Sequence, residues 1–154
     1  MSDIRRVDGG LVSGRFTDHH VHLQLVDHTL LPGSRLGRVV DLGGNPAVLR
    51  DLAHAARVER TGEGASEPAK STRGAVIEYA GPFLTAPGGY PSDRVWAPAE
   101  SVREIPDAAS AATIVDEAAA AGASFIKVVM NSDAGPVLDD DSFRAVVSAA
   151  AAHG

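Results

Sequence analysis

Short apolar segments alternate with amphipathic ones along the chain. Four segments rich in β-branched and aromatic residues are bounded by glycine, proline or polar residues, the pattern of buried strands. They predict strands over 15–23, 38–44, 75–81 and 124–130. From the second strand onward, strands and helical segments alternate, which predicts an α/β fold with a parallel sheet and helices outside it.

Three segments with apolar positions spaced three and four apart predict helices over 45–60, 108–122 and 141–154. Asn45 is the expected N-cap of the first helix, with Pro46 at its first position. Gly122 is expected to end the second helix. The third is expected to bury one face, formed by Phe143, Val146, Val147 and Ala150.

Three segments lack such patterns. Residues 1–14 form a polar lead-in that could hold a short strand, and 61–74 are predicted to form a loop. Residues 82–107 hold five of the nine prolines, which predicts an ordered loop with little regular structure. This loop follows the third strand, and in a βα barrel the loops after strands build the active face.

Within that loop, Tyr90, Arg94 and Trp96 are candidate substrate contacts. The alternative is a solvated loop whose aromatic side chains pack only on one another.

The glycines do not form a dinucleotide fingerprint or a phosphate loop, which argues against a nucleotide-binding doubly wound sheet. A partial (β/α)8 barrel fits better, with about the first four βα units in residues 15–154 and a lead-in over 1–14.

Composition limits the possible partners, metal ligands and cellular compartment. The net charge of −6 argues against nucleic acid as a partner, and the absence of cysteine leaves only nitrogen and oxygen ligands for a metal. No apolar run reaches the ~18 residues of a membrane span, and the first residues do not resemble a signal peptide. We therefore expect a cytoplasmic protein with no membrane partner.

The segment TDHHVHLQ (17–24) concentrates candidate metal ligands in the first strand. Side chains alternate between the faces of a strand, so Asp18, His20 and His22 are predicted to share one face, while His19 points to the helices. Two imidazoles at this spacing can converge on one metal, with Asp18 accepting a ligand's free ring N–H or touching the metal itself. The alternative is a polar strand with hydrogen-bonded histidines.

Lys127, one of only two lysines, interrupts the apolar strand FIKVVM. Burial favours the neutral, nucleophilic form of an amine. Such an amine can form a Schiff base with a carbonyl substrate or add carbon dioxide to give a carbamate that ligates metals. The histidine cluster favours the carbamate. The alternative is a lysine that extends its ammonium group to water.

Together, DHHVH (18–22) and GASFIKVVM (122–130) resemble the amidohydrolase superfamily. The family carries an Asp-x-His-x-His pattern at the end of barrel strand one and, in many members, a metal-bridging lysine at the end of strand four. TAPGGYP (85–91) is also similar to the branch that includes imidazolonepropionases and metal-dependent prolidases. The resemblance covers about 15–154.

The resemblance implies a metal-dependent hydrolase that cleaves amide, cyclic amide or ester bonds of a small molecule with a metal-bound hydroxide. His20 and His22 would bind the first divalent ion, and Lys127, as a carbamate formed with carbon dioxide, would bridge to a second. Zinc is the first expectation, with manganese, iron, cobalt or nickel as alternatives.

Two departures from the family limit this expectation. Only 14 residues precede the first strand, so the family's β-sandwich is not expected. The family's later histidine ligands and its aspartate general base would lie beyond Gly154. We therefore expect a fragment or truncated product with the N-terminal half of the barrel, inactive by itself.

Three other interpretations remain open. One is a Schiff-base aldolase that uses Lys127, and another is the polymerase and histidinol phosphatase fold, which also begins with His-x-His. The third is a non-catalytic half-barrel that forms homo-oligomers, since open sheet edges and an exposed apolar face favour self-association.

Overall fold

The computed structural model describes residues 4–61 and 74–154. The predicted loop over 61–74 lies outside the described residues, apart from its two ends. The strands are β1 (Arg5–Val7), β2 (Gly10–Val12), β3 (Phe16–Val21), β4 (Leu36–Asp41), β5 (Val76–Tyr79), β6 (Phe83–Thr85), β7 (Val102–Glu104) and β8 (Lys127–Val128). The helices are α1 (Pro46–Thr61), α2 (Ala108–Ala120), α3 (Asp140–Ala152) and a 3₁₀ turn (His28–Leu30).

The strands form a mixed α/β structure with parallel sheets. One sheet has the order β3-β4-β5 and the other the order β7-β6-β8, and all pairs in both are parallel. The chain bends between β5 and β6, where Gly81 has a φ of +70° and Pro82 has no N–H to donate. The predicted third strand over 75–81 is observed as β5, whereas β6 forms in the predicted loop after it and joins the second sheet. This topology does not confirm a partial barrel.

Backbone hydrogen bonds hold the two sheets together at the bend. Gly44 N donates to Gly81 O over 3.0 Å, and Ser124 N donates to Tyr79 O over 2.8 Å. Because β3, β4 and β5 run parallel, their carboxyl ends lie at one edge, close to this junction. That edge carries the candidate site.

Two predicted segments differ in part from the structure. The segment 82–107 has little regular structure, as predicted, but β6 and β7 form near its two ends. The strand expected over 124–130 is reduced to Lys127–Val128, which are half-buried rather than buried. In the described part of the chain β8 lies at the edge of its sheet, paired with β6 alone, so one side lacks the cover of another strand.

The helices begin and end close to where the sequence predicted. Asn45 Oδ1 accepts from Ala47 N over 2.9 Å, which confirms this residue as the N-cap of α1. Asp107 and Asp139 cap α2 and α3, and the hydrogen bonds from Ser110 and Ser142 hold the pKa of each carboxyl below its usual value. Gly122 has a φ of +92° just after α2, as expected of a residue that ends a helix.

Two clusters of buried side chains lie between the helices and the sheets. One packs α1 against the first sheet and contains Leu23, Val39, Leu49 and Tyr79. The other packs α2 and α3 against the second sheet around Leu84, Ala86, Ile105, Ala111, Ile114, Val115, Leu138 and Val146.

The buried face of α3 differs from the predicted one. Val146 is buried, but Phe143 and Val147 are exposed. Ala150 packs beside Val146 as predicted, together with Ala145 and Ala149. Small side chains let α3 approach α2 closely, whereas the large ones turn outward.

The lead-in forms the antiparallel hairpin of β1 and β2, whose side chains are exposed. Within 4–61 and 74–154, none of the helices combines the length and the apolar character that crossing a bilayer would require.

Candidate metal centre

His20 and His22 come together at the carboxyl end of β3. Their ring centroids are 5.3 Å apart and the ring planes are inclined by 76°. The strand ends at Val21, and its register against β4 shifts between Asp18 and Val21, so the regular alternation assumed from sequence is interrupted. The structure nevertheless brings the two predicted ligands side by side.

A backbone carbonyl fixes the His22 ring. Nδ1 of His22 lies 2.9 Å from Gly43 O. A carbonyl oxygen only accepts hydrogen bonds, so Nδ1 carries the hydrogen and donates it. In the neutral ring Nε2 then has the free lone pair, the state in which imidazole binds a metal.

Asp18 contacts the backbone of the histidine segment, and its predicted role at a metal stays a prediction. Its Oδ1 accepts the backbone N–H of His20 over 3.0 Å, so the carboxylate steadies the chain that carries His20. The ring N–H of His22 is accepted by Gly43 O. The strand end explains this contact, because His22 follows β3 and turns toward the segment after β4.

Asp41, which the sequence analysis missed, is a buried carboxylate below the histidine pair. Its side chain is 0% exposed; Oδ2 accepts from Leu23 N over 2.6 Å and Oδ1 accepts from Gly43 N over 2.9 Å. Burial raises the pKa of Asp41, partly offset by these two hydrogen bonds and by the nearby His22 and His20. An acidic residue that ends an apolar strand before two glycines, as in RVVDLGG, was the available signal.

Phe83 was also missed, and it connects the histidines to the predicted substrate wall. Its ring centroid lies 5.4 Å from that of His22 and 6.2 Å from that of Trp96. Trp96 lies 5.9 Å from Tyr90, whose ring has the guanidinium carbon of Arg94 at 5.3 Å. Tyr90 and Arg94 therefore belong to a continuous row of contacting side chains that starts at the histidine pair.

Lys127 lies on β8, beside the Phe83 end of that row. It is the register partner of Phe83 in a parallel pair, so both side chains leave the sheet on the same face. Lys127 is half-buried. Phe83 therefore lies between Lys127 and His22.

The donor set fits part of a metal site. His20 and His22 are adjacent, and the ring orientation of His22 is fixed as in a metal ligand. Across residues 4–61 and 74–154, however, no three His, Asp or Glu side chains converge to hold an ion. A carbamate on Lys127 would add a ligand of another kind.

The remaining histidines are engaged elsewhere or exposed. His19 is exposed on β3 and His54 on α1. Nδ1 of His28 lies 3.2 Å from Leu23 O, and Nε2 of His153 lies 2.6 Å from Asp116 Oδ1, which ties the end of α3 to α2.

Solved structures with the same arrangement of elements include hydrolases. An amidohydrolase superposes with a TM-score of 0.64 at 19% identity, covering 92% of this chain and 41% of that one. A prolidase in complex with N-methylphosphonate-L-proline superposes with a TM-score of 0.59 at 20% identity, covering 90% and 40%. An uncharacterized protein gives 0.59 at 21% identity, again covering 90% and 40%.

The chain therefore has an amidohydrolase-like fold and spans about 40% of the length of these structures. No family model matches its sequence. No curated protein matches it either. At 19–21% identity the likeness is one of fold, and the chemistry has to be argued from the site.

Proposed function

We propose that this chain carries part of the active site of a metal-dependent hydrolase that acts on amide, cyclic amide or ester bonds. The observation that carries the proposal is the pair of adjacent imidazoles, His20 and His22, at the carboxyl end of β3 in an amidohydrolase-like fold. Ligands and catalytic groups collect at the carboxyl ends of parallel strands. The pair therefore lies where such a fold places its chemistry.

In this proposal His20 and the Nε2 atom of His22 ligate one divalent ion, and zinc is the first candidate because its usual ligands include imidazole nitrogen. Lys127, carboxylated by carbon dioxide, supplies an anionic oxygen ligand from β8. A divalent ion held by these residues would supply an activated water and a polarised carbonyl group. Manganese, iron, cobalt and nickel suit the same donors.

The row formed by Phe83, Trp96, Tyr90 and Arg94 supports a small-molecule substrate with an apolar ring and an anionic group. The aromatic faces offer apolar contact beside the histidines, and the Arg94 guanidinium lies at the far end of the row. The prolidase with the similar fold is complexed with a proline derivative, a ligand of this kind. We propose an N-acyl compound with a cyclic or apolar acid moiety.

Because the described residues gather only two imidazoles, we propose that the 154-residue chain binds metal weakly and does not turn over substrate by itself. The general base and further ligands would come from elsewhere in the complete active site.

Removing either ligand histidine is expected to weaken zinc binding at least about tenfold, because the single remaining imidazole cannot chelate the ion. Zinc affinity is measured by calorimetric titration of His20→Ala, His22→Ala and the wild-type chain, with far-UV circular dichroism to verify the fold. His54→Ala is the matched control, since His54 is exposed on α1. Unchanged affinity in both ligand variants would contradict the proposal.

Carboxylation of Lys127 is expected to make zinc binding depend on bicarbonate. Added ¹³C-bicarbonate should raise zinc affinity and give a carbamate carbon signal by NMR in the wild-type chain, and do neither in Lys127→Ala. Lys70→Ala, which removes the only other lysine, should behave as wild type. A bicarbonate-independent affinity, together with borohydride trapping of an aldehyde on Lys127, would instead support the Schiff-base alternative.

A further inference from the structure

The proposed metal ligands do not explain why the carboxylate of Asp41 is buried. It is the last residue of β4 and 0% exposed, and its pKa is raised mainly by burial. Burying a carboxylate costs free energy unless hydrogen bonds compensate. Both of its oxygens are indeed engaged, by Leu23 N at 2.6 Å and by Gly43 N at 2.9 Å.

Both donors belong to residues that are connected to His22. Leu23 directly follows His22 in the chain, so its bond to Asp41 holds the backbone that carries the ring. Gly43 donates its N–H to Asp41 and presents its carbonyl to Nδ1 of His22 at 2.9 Å. One carboxylate thus fixes both the position of the ring and the acceptor that orients it.

The segment around Gly43 has little freedom to move independently. Gly43 has a φ of +145°, and Leu42 N donates to Val21 O over 3.0 Å. Gly44 N, in the same peptide unit as the Gly43 carbonyl, donates to Gly81 O over 3.0 Å. The bond from Gly43 N to Asp41 holds the preceding peptide unit, so the Gly43 carbonyl keeps its direction only when both peptide units are held.

We propose that Asp41 is a positioning residue that sets the orientation and the Nδ1–H tautomer of His22, and thereby directs Nε2 toward a metal. The part that concerns metal rests on the proposed function, whereas the tautomer of His22 does not. The competing explanation is that Asp41 only stabilises the backbone after β3 and after β4, without any effect on the ring of His22.

The test compares Asp41→Asn with the wild-type chain. Asn keeps the size of the side chain but replaces one accepting oxygen with a donating NH₂ group, which cannot face Leu23 N or Gly43 N. Ring-nitrogen chemical shifts of His22 at pH 8 report the tautomer without metal, and zinc titration reports affinity. Val39→Ala is the control, because it loosens the core on the same strand without touching either hydrogen bond.

We expect the wild-type and Val39→Ala chains to hold His22 as the Nδ1–H tautomer, and Asp41→Asn to lose this preference. Zinc affinity should fall about 10–100-fold in Asp41→Asn, the usual effect of removing a group that orients a ligand. An unchanged tautomer and affinity in Asp41→Asn, with only a lower melting temperature, would overturn the proposal.

Two further outcomes are decisive. If Asp41→Asn does not fold, Asp41→Glu is read by the same criteria, since it keeps the charge and displaces the oxygens. Failure of both variants to fold would assign Asp41 a purely structural role. A changed tautomer in a chain whose wild type does not bind zinc would support the positioning role and refute the proposed metal centre.

Discussion

Replacing Phe83 by alanine is expected to lower the free energy of unfolding by about 3–4 kcal/mol, within the range for buried phenylalanines. Phe83 is 5% exposed, and its ring packs against Gly43, His22 and Trp96. Deleting the ring leaves a cavity where the segments after β3, β4 and β6 meet. The variant should therefore also lose the alignment between the histidine pair and the aromatic row.

Urea denaturation followed by circular dichroism measures this loss. Phe16→Ala is a control of the same residue type, because Phe16 is 54% exposed and its truncation should change stability by no more than about 0.5 kcal/mol. Phe83→Leu should fall between the two, as it refills part of the cavity. Equal stabilities of Phe83→Ala and Phe16→Ala would refute the structural role assigned to Phe83.

Replacing Gly43 by alanine is expected to destabilise the fold by two separable effects. The φ of +145° at Gly43 disfavours any side chain, at about 1–3 kcal/mol. The new methyl group would also meet the Phe83 ring, at about 1–3 kcal/mol for overpacking. Because Gly43 O orients His22, zinc binding should weaken as well if the proposed metal centre is correct.

Gly14→Ala is the control for this substitution, because a methyl group at Gly14 meets nothing within 4 Å. The double variant Gly43→Ala/Phe83→Ala separates the two effects. Gly43→Ala should cost less in the Phe83→Ala background, since only the backbone strain remains, and the difference is the coupling energy. Strict additivity would show that the methyl group and the ring do not compete for space.

Local sequence signals predicted those features that depend on neighbouring residues. Asn45 and Pro46 gave the start of α1, and Gly122 the end of α2, because caps satisfy backbone groups within a few residues. The close spacing of His20 and His22 likewise made them candidates for one site. All of these depend on the chain over at most one turn or strand.

Features that depend on distant segments were missed or wrong. The placement of β5 and β6 in different sheets depends on which strands each of them pairs with, and the buried face of α3 depends on the surface of α2. The proline-rich segment formed β6 and β7 because its ends found partners, and pairing outweighed composition.

The sequence by itself therefore determined the α/β class, the helix limits and the choice of His20 and His22 as candidate ligands, because periodicity, capping and spacing are local properties. Only the tertiary structure decided how His22 is oriented. Its ring partner Gly43 O is 21 residues away, and the buried carboxylate of Asp41 that holds Gly43 N and Leu23 N is recognisable only once β3 and β4 are paired. A hydrogen bond between segments exists only when the fold brings a donor to an acceptor, which no local pattern encodes.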